Sequence, residues 1–409
     1  MQTTIEKTMT IQQLVDAWPC TLEVLVANGF ENLKDPAVRS AVGRVLTLER
    51  AAGMKGYGID TFIGLLQHRI DEMADQADVT MKQTERANSD ISVAGLLPCP
   101  VRIPLLEGFD RFIEGYTAQT GLSVSYKLEA AAVGADWMAE HVAGLHDERN
   151  LPDLFLSAGF DTFFDRKTIG RFKDQGIYCD ITPKEVNRDF DGLKLKDPKG
   201  DYGVLSVVAA VFMVNHEVLG DRPVPRTWAD ILKPEFAQNV ALPVGDFDLF
   251  NAILLTIYRQ YGDEGIRKLG KSMLKSMHPS QMIKNAQRVA DEKPIVTIMP
   301  YFFTKMAAMV KSLEIVWPQD GAIISPIFML AKKSRQAELQ PIGDFLAGKE
   351  IGEILAQRGL FPSLHTDVDN QLPAGTPWQW VGWDFIYSND IPALIKHTTL
   401  LFETSMNEG

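Results

Sequence analysis

The chain has 409 residues, of which 45% are hydrophobic and 23% charged, the balance of a globular protein with room for two or three domains. Its 41 Lys and Arg residues against 53 Asp and Glu give a net charge of −12, which argues against nucleic acid or an anionic membrane as a partner of the whole molecule. Three scattered cysteines, Cys20, Cys99 and Cys179, form no C-x-x-C pair and support neither a disulfide framework nor a zinc ribbon.

Residues 1–75 are predicted to form a small all-α domain. Thr10 and Gln13 have the spacing of a capping box, and apolar residues then recur on one helical face. Four more short helices are expected before residue 75. Residues 76–90 are polar with mixed charges, which indicates a linker or the solvated end of the last helix.

The N-terminal segment lacks the basic start and the continuous apolar core of a secretory signal. No apolar run approaches the length of a transmembrane helix. We therefore expect a cytoplasmic protein without membrane insertion, with a periplasmic location as the alternative.

From Ile91 the pattern changes to strands that alternate with helices. A buried strand at Ile91–Leu97 precedes a helix closed by Gly121, and an alternating strand begins at Leu122. A further strand lies within residues 151–159. This order predicts a parallel-rich α/β sheet, in which ligands bind at the carboxyl ends of the strands.

Two groups of candidate binding residues follow these strands. Cys99 and Arg102 come after the first strand, where a thiol can contact a ligand and a guanidinium can bind a carboxylate or phosphate. A buried structural thiol and a solvated arginine are the alternatives. Ser157, Ala158 and Gly159 end the later strand, where small side chains let a ligand approach the backbone or let the next helix pack tightly.

The middle of the chain contains the longest buried strand. Val204–Val214 is apolar without a break, which predicts burial on both faces of a covered sheet. A short helix begun by a capping box at Thr227 and the strand Val240–Leu242 follow. A long helix comes next; Asp248 is predicted to cap it, and Asp246 is a candidate contact for a cationic ligand or a metal.

Two further candidates lie in the last third of the chain. The strand Ile295–Ile298 leads to Tyr301, whose ring is predicted to form a stacking or hydrogen-bonding wall. Strands at Leu313–Val316 and Ala322–Ser325 flank a turn, and Ser325, at the end of the second, is the last candidate binding residue.

Motifs of catalysis and of cofactor binding are absent from the sequence. It contains no phosphate-binding, dinucleotide-binding, zinc-protease or serine-hydrolase signature. We therefore predict no cofactor, no resident metal and no catalytic residue.

Three sequence words carry a resemblance to a known family: MVNHEVL at 213–219, TWADIL at 227–232 and PQDGAIISPIFMLAKK at 318–333. Over roughly Ile91 to Phe402 the chain resembles the bacterial extracellular solute-binding proteins. More narrowly, it is similar to the type II periplasmic-binding branch that includes the ferric-ion, thiamine and polyamine binders.

The resemblance implies an α/β fold of two lobes with mixed sheets over residues 91–409, preceded by a small all-α domain. The chain is expected to cross between the lobes near 204–245 and again near 313–330. The helical domain resembles one of unknown function that precedes some redox and iron–sulfur proteins. The Cys-x-x-Cys of many members is missing here, so we predict a docking or packing role.

In this family the binding site is the cleft between the lobes. Helix N-termini that point into such a cleft offer free N–H groups and a positive dipole end, which suits carboxylates and oxyanions. Ferric-binding relatives have two adjacent tyrosines where this chain has Tyr301 and Phe302, so we predict no tight ferric binding.

The leading hypothesis is non-catalytic binding of a small solute, an organic or inorganic anion, by a transporter-type binding protein or a cytoplasmic sensor or carrier derived from one. An ABC transporter or another protein, docking through the helical domain, is the expected partner. Two alternatives remain open: an enzyme on the same two-lobe frame that uses Cys99 or Tyr301, and a protein-interaction module with a degenerate cleft.

Overall fold

The structure is a computed structural model of the full chain. It describes residues 5–18, 21–22, 25, 30, 33, 38–39, 42–54, 59, 62–63, 66, 89–97, 101–130, 148, 151–164, 169–243, 247–276, 293–304, 310–373 and 375–407. The chain divides into two units, Met1–Gln83 and Thr84–Gly409.

The first unit is built from short helices around a small apolar core. Helix α1 spans Ile11–Ala17 and α2 spans Leu48–Met54. The Thr10 hydroxyl accepts the N–H of Gln13 and the Gln13 side chain accepts the N–H of Thr10, which confirms the predicted capping box. The buried apolar residues of this unit include Ile11, Leu14, Leu25, Leu48, Ala51, Phe62 and Leu66. Most of the other helices predicted here fall on residues outside the described ones.

The described part of the second unit forms one mixed sheet of 11 strands. In chain order these are β1 (Ile91–Leu97), β2 (Val124–Ala130), β3 (Leu154–Ala158), β4 (Tyr178–Cys179), β5 (Gly203–Asn215), β6 (Val240–Leu242), β7 (Met273–Ser276), β8 (Val296–Pro300), β9 (Leu313–Val316), β10 (Ala322–Lys332) and β11 (Trp378–Gln379).

Helices cover the sheet and join its strands. They are α3 (Arg102–Thr120), α4 (Asp161–Phe164), α5 (His216–Leu219), α6 (Trp228–Ile231), α7 (Phe247–Ser272), α8 (Gln336–Leu346), α9 (Lys349–Glu353), α10 (Trp383–Ser388) and α11 (Ile391–Asn407). Short 3₁₀ segments lie at Ile169–Gln175, Arg188–Phe190, Pro234–Phe236, Tyr301–Phe303 and Lys333–Arg335, and a π segment at Ile354–Arg358. No described helix is both long enough and apolar enough to cross a membrane. The helix predicted around residues 137–142 lies outside the described residues.

Helix ends follow the local sequence signals in most places. Gly121 ends α3 in the left-handed conformation at φ +74, as predicted, and the Thr227 capping box of α6 is confirmed. The apolar face predicted for α7 is buried as far as Ile257, but Tyr261, predicted to share it, is 39% exposed. The chain leaves the helical path at the next residue, Gly262, whose φ of +61 is costly for other residues.

The strand order explains how the sheet forms two lobes. The order is β2-β1-β3-β10-β5-β8-β6-β7, with β4 and β11 on β10 and β9 on β5. Strands β1, β2 and β3 are mutually parallel, as are β6, β7 and β8. Between these halves run β5 and β10, antiparallel to each other and to β8 and β3. We call the half with β1–β3 lobe 1, the half with β6–β8 lobe 2, and β5 with β10 the crossing pair.

Both strands of the crossing pair are buried along their whole length. The predicted double-sided burial of β5 is therefore confirmed, but β10 runs on to Lys332, beyond its predicted end at Ser325. Pro326 does not break β10, because it lies opposite Val207 and the N–H of Val207 bonds to the carbonyl of Pro362 instead. The missing N–H of Pro326 thus removes no hydrogen bond between β5 and β10.

A buried ion pair ties together the strands of lobe 1. Asp153 precedes β3, and its carboxylate accepts bonds from the N–H (2.9 Å) and hydroxyl (3.0 Å) of Ser92 in β1. It also accepts a bond from the Lys332 ammonium at 3.2 Å, at the end of β10. Arg335 lies 3.7 Å from the same carboxylate. This ion pair and its hydrogen bonds join β1, β3 and β10 at the end of lobe 1 where β1 and β3 begin.

A buried tryptophan ties together the elements of lobe 2. Trp228 in α6 is fully buried and meets Phe212 of β5 edge to face at 4.9 Å. Its indole N–H donates to the carbonyl of Gly321 at 2.9 Å, and its backbone N–H donates to the Asp320 carboxylate at 3.0 Å. Burial raises the pKa of Asp320, although the hydrogen bond from the Trp228 backbone N–H acts to lower it.

Candidate functional site

Four strand ends converge on the middle of the crossing pair. Strand β3 ends at Ala158, opposite Ile327 of β10, and β8 ends at Pro300, opposite Ala210 of β5. Ala210 itself pairs with Ile323, so the two ends are four residues apart along β10, about 13 Å at 3.3 Å per residue. Strand β1 runs parallel to β3, and β6 parallel to β8. The loops after all four strands therefore border one inter-lobe cleft.

The candidates predicted from sequence follow these four strands. Ser157 is fully buried in β3 and donates its hydroxyl to the carbonyl of Ala158 at 2.9 Å, while Ala158 is half-buried. Arg102 is the first residue of α3 after β1; its side chain is outside the described atoms. Cys99 and Asp246 lie outside the described residues, so their roles stay predictions.

Gly159 and Asp248 meet across the cleft, one from each lobe. Gly159 follows β3 with φ +93, and Asp248 lies in the first turn of α7, which begins at Phe247 rather than after Asp248 as predicted. A Cβ on Gly159 would lie 2.6 Å from the Cγ of Asp248 and closer still to Oδ1. Only a residue without a side chain leaves room for this carboxylate.

Two buried hydroxyls, those of Ser325 in β10 and Thr256 in α7, have no hydrogen-bond partner among the described residues. Ser325 is fully buried. It lies in β10 between Ile327, which is opposite the end of β3, and Ile323, which pairs with β11. Strand alternation puts it on the same face of β10 as Ile323 and Ile327. Thr256, buried in α7, is the second such hydroxyl. Since buried polar groups are normally paired, both mark a place suited to a polar ligand or water.

Tyr301 and Phe302 make ring contacts with different residues. Tyr301 meets Trp317 edge to face at 5.2 Å and packs against both the main core and a small cluster of Val211, Met213 and Met299. Burial raises the pKa of Tyr301 above its usual range, which disfavours the phenolate form. Phe302 instead stacks on Phe361, with the ring centroids 6.2 Å apart and an angle of 8° between the ring planes.

Phe361 connects this stack to the first loop of the cleft. A Cβ on Gly359 would meet both the Phe361 ring and Val101, the residue just before α3. Phe302 is thus linked through Phe361 and Gly359 to the residue that precedes α3, and it is not among the candidates predicted from the sequence. Asp248 was considered there only as a helix cap. Both residues lie in the 3₁₀ segment Tyr301–Phe303, where strand alternation does not apply, so the sequence carried no local signal that separates Tyr301 from Phe302.

The described cleft offers hydroxyls, aromatic rings and one carboxylate. Within the described ranges, no three His, Cys, Asp or Glu side chains are grouped closely enough to hold a metal ion. An apolar cavity in the core of lobe 1 is lined by Leu105, Phe109, Leu128, Leu156, Leu205, Ile327, Leu346, Ile351 and Leu355. This set of groups suits binding by hydrogen bonds and stacking.

Comparisons with known families agree with this geometry. Residues 149–389, more than half of the chain, match the family described as bacterial extracellular solute-binding protein. Residues 5–63 match a domain of unknown function (DUF1858), which confirms the resemblance given for the helical domain. No curated protein matches the chain significantly.

Solved structures of similar fold cover about three quarters of the chain. Ferric ion-binding protein A of Pasteurella haemolytica, in its apo form, has a TM-score of 0.54 at 13% identity, over 76% of this chain and 98% of that one. An ABC transporter structure from Clostridium perfringens has a TM-score of 0.54 at 12% identity, over 76% and 100%. A Trichodesmium protein in complex with iron and citrate ligands has a TM-score of 0.53 at 12% identity, over 76% and 98%. At such identities the likeness shows the fold alone.

Proposed function

The chain belongs to the bacterial extracellular solute-binding proteins, and we propose that it binds a small anionic solute between its lobes without transforming it. The observation that carries the proposal is the convergence of four strand ends on the buried crossing pair. Loops from both lobes then contact one ligand, and a change in the crossing strands closes the lobes over it. Closure is favoured only as far as the ligand binds the closed state better than the open one.

The start of helix α3 favours an anion over a neutral solute. Val101 precedes α3 and makes no side-chain capping bond. Among the described side chains none caps the start of this 19-residue helix after β1, where the positive end of the helix dipole adds to the effect of its first N–H groups. Arg102, the first residue of α3, is the proposed charged contact.

A thermal-shift screen of anionic metabolites and oxyanions tests this proposal. At about 100 times its dissociation constant, a solute that binds only the folded state stabilises it by about 2.7 kcal/mol, which appears as a raised melting temperature. Ser325→Ala should leave the unliganded melt unchanged or slightly raised, because the hydroxyl that it removes has no partner. We expect the ligand-induced rise to shrink in this variant.

Ser272→Ala is the matched control for that variant. Ser272 is buried like Ser325, but it lies at the far end of α7 and its hydroxyl donates to Leu269. The ligand-induced rise should survive this change. A hit whose rise is the same in both variants would place the binding site away from β10.

Ferric ion is the second candidate, because one of the similar structures is named a ferric ion-binding protein and another is described in complex with iron and citrate. We predict no tight ferric binding: Tyr301 is followed by Phe302 rather than by a second tyrosine, and the Tyr301 ring packs on Trp317, where burial raises its pKa and disfavours a phenolate ligand. Ferric citrate should therefore produce no visible charge-transfer band with the purified protein. A band that disappears in Tyr301→Phe but persists in Tyr261→Phe, the exposed control, would overturn this prediction.

The enzyme hypothesis has less support than binding. The family is one of binding proteins. A nucleophilic role for Tyr301 needs a phenolate, which its raised pKa disfavours. Cys99 remains a proposed ligand contact.

Partners and location are proposals as well. Members of the family work with ABC transporters, and delivery of the solute to such a transporter is the proposed role. The family is described as extracellular, which agrees with the periplasmic alternative and gives no support to the cytoplasmic one. Residues 1–75 are proposed to dock a protein partner.

A further inference from the structure

Three half-buried aromatic rings meet at the middle of the crossing pair. The Tyr301 ring meets the Trp317 ring at 5.2 Å with an angle of 79° between the ring planes, and the Trp317 ring meets the Trp378 ring at 5.1 Å and 84°. Aromatic side chains of the core, such as Phe212 and Phe328, are completely buried, whereas each of these three residues keeps part of its surface exposed. Packing of the core alone therefore does not account for the cluster.

The strand register places the three rings at the cleft. Tyr301 follows the end of β8, which lies opposite Ala210 on one edge of β5. Trp317 follows the end of β9, which lies opposite Phe212 on the other edge of β5. Trp378 lies in β11, which pairs with the first residues of β10. The rings thus gather where β8 ends at the crossing pair, and the loop after β8 is one of the four that border the cleft.

Hydrogen bonds fix both indoles and leave their ring faces for a ligand. The indole N–H of Trp317 donates to the carbonyl of Pro377 at 2.8 Å, and that of Trp378 donates to the carbonyl of Asp189 at 2.7 Å. Rings held in this way lose little freedom when a planar group packs on them. Apart from the Tyr301 hydroxyl, the cluster therefore offers ring faces rather than hydrogen-bond donors.

The cluster suits a neutral aromatic ring better than a cation. A cation taken out of water there would need an acidic partner. Burial raises the pKa of Tyr301, and no described charged group contributes to that shift. On adjoining segments, Glu314 pairs with Arg226 at 2.8 Å, and the Asp189 carboxylate accepts a bond from Asn370 at 2.9 Å. Contacts between neutral rings need no such partner.

We propose that the rings of Tyr301, Trp317 and Trp378 bind an aromatic ring carried by the solute. The proposal rests on the proposed function and names the solute more closely, as an organic anion with an aromatic ring. The sequence predicts Tyr301 as a stacking wall, and the two tryptophans extend it to a surface of three rings. A planar ring that replaces water on these faces gains both buried apolar area and ring–ring contacts.

The ring and the charge of such a solute have neighbouring places in the cleft. Phe302, next to Tyr301, stacks on Phe361. A Cβ on Gly359 would lie 2.5 Å from the Phe361 ring and 2.7 Å from Val101, the residue before α3. One chain of contacts therefore joins the ring cluster to the start of α3, where the charged contact is proposed.

A ligand-observed NMR titration of the full chain with benzoate tests the proposal. Cyclohexanecarboxylate is the matched probe, because it has the same charge and a six-membered ring but no aromatic faces. Benzoate should bind about 2- to 10-fold more tightly, the usual worth of a ring–ring contact beyond its buried area. This preference should disappear in Tyr301→Leu and in Trp317→Leu, which keep an apolar side chain at each position.

Tyr258→Leu is the matched control. Tyr258 is also half-buried and meets another ring edge to face, that of His397 at 6.1 Å, but it lies between α7 and α11. The preference for benzoate should survive this change. Thermal melts show whether each variant is folded. The Tyr301 side chain makes no hydrogen bond within the described structure, so Tyr301→Leu keeps the test decisive if Trp317→Leu does not fold.

Each of four results would overturn the proposal. Equal affinities of benzoate and cyclohexanecarboxylate would remove the aromatic subsite and leave anion binding in the cleft standing. A preference for benzoate that persists in both variants would place the bound ring elsewhere. Binding of tetramethylammonium that is lost in Tyr301→Leu would make the cluster a cation site. Failure of both carboxylates to bind would count against the organic anion of the proposed function as well as against its ring.

Discussion

Replacing Asp153 with alanine is expected to destabilise the second unit by about 3–5 kcal/mol, because it leaves a buried ammonium without its partner. Lys332 is 8% exposed, and the Asp153 carboxylate is its acidic partner in the described structure. The same change removes the carboxylate oxygen that accepts both the N–H and the hydroxyl of Ser92 in β1. A loss of this size is a large share of the 5–15 kcal/mol that typically holds a domain together. Urea unfolding, followed by tryptophan fluorescence, measures it.

A double variant separates the charge from the packing. In Asp153→Ala combined with Lys332→Met no charge is left unpaired, so the loss should be smaller than the sum of the two single losses. The control is Glu353→Ala, which removes an exposed pair with Lys349 at 3.7 Å and should cost at most about 0.5 kcal/mol. Equal losses in Asp153→Ala and Glu353→Ala would show that the buried pair does not anchor lobe 1.

The second large effect is expected in lobe 2. Trp228→Ala should cost about 3–5 kcal/mol, the usual range for removing a buried tryptophan or phenylalanine side chain. The change opens a cavity against Phe212 and leaves the Gly321 carbonyl without its indole donor. The midpoint of urea unfolding should fall accordingly.

Two variants test the origin of that loss. Trp228→Phe keeps much of the apolar contact and removes the N–H donor, so it should lose less stability than Trp228→Ala. Trp317→Ala removes a half-buried tryptophan from the same lobe and should also cost less, since less apolar surface returns to water. A Trp317→Ala loss as large as that of Trp228→Ala would contradict burial as the cause.

Local patterns predicted much of the fold. The unbroken apolar run Val204–Val214 predicted a strand buried on both faces, and β5 is such a strand. Capping boxes and a closing glycine gave the ends of α1, α6 and α3. The full length of β10 was not predictable, because Pro326 ends most strands. It is harmless here only because Val207 directs its N–H to Pro362, 155 residues further along the chain.

The candidate site was predictable as a set of loops but not as a set of contacts. Strand ends are visible in the sequence, and parallel pairing brings them to one cleft. The contact of Asp248 with Gly159 depends on how two lobes meet, which no local pattern encodes. The different ring contacts of Tyr301 and Phe302 depend on how the chain turns after β8. Tyr301, the candidate predicted from the sequence, is the residue that packs on Trp317.

The crossing pair also decides what a cut in the chain would do. The exposed loop at 221–224 lies between β5 and β10 in sequence, so a break there would leave β5 on one fragment and β10 on the other. Each lobe needs both strands, and neither fragment could complete a lobe alone. Reassembly of the halves would restore both lobes and the cleft together, which makes this chain a natural candidate for fragment complementation.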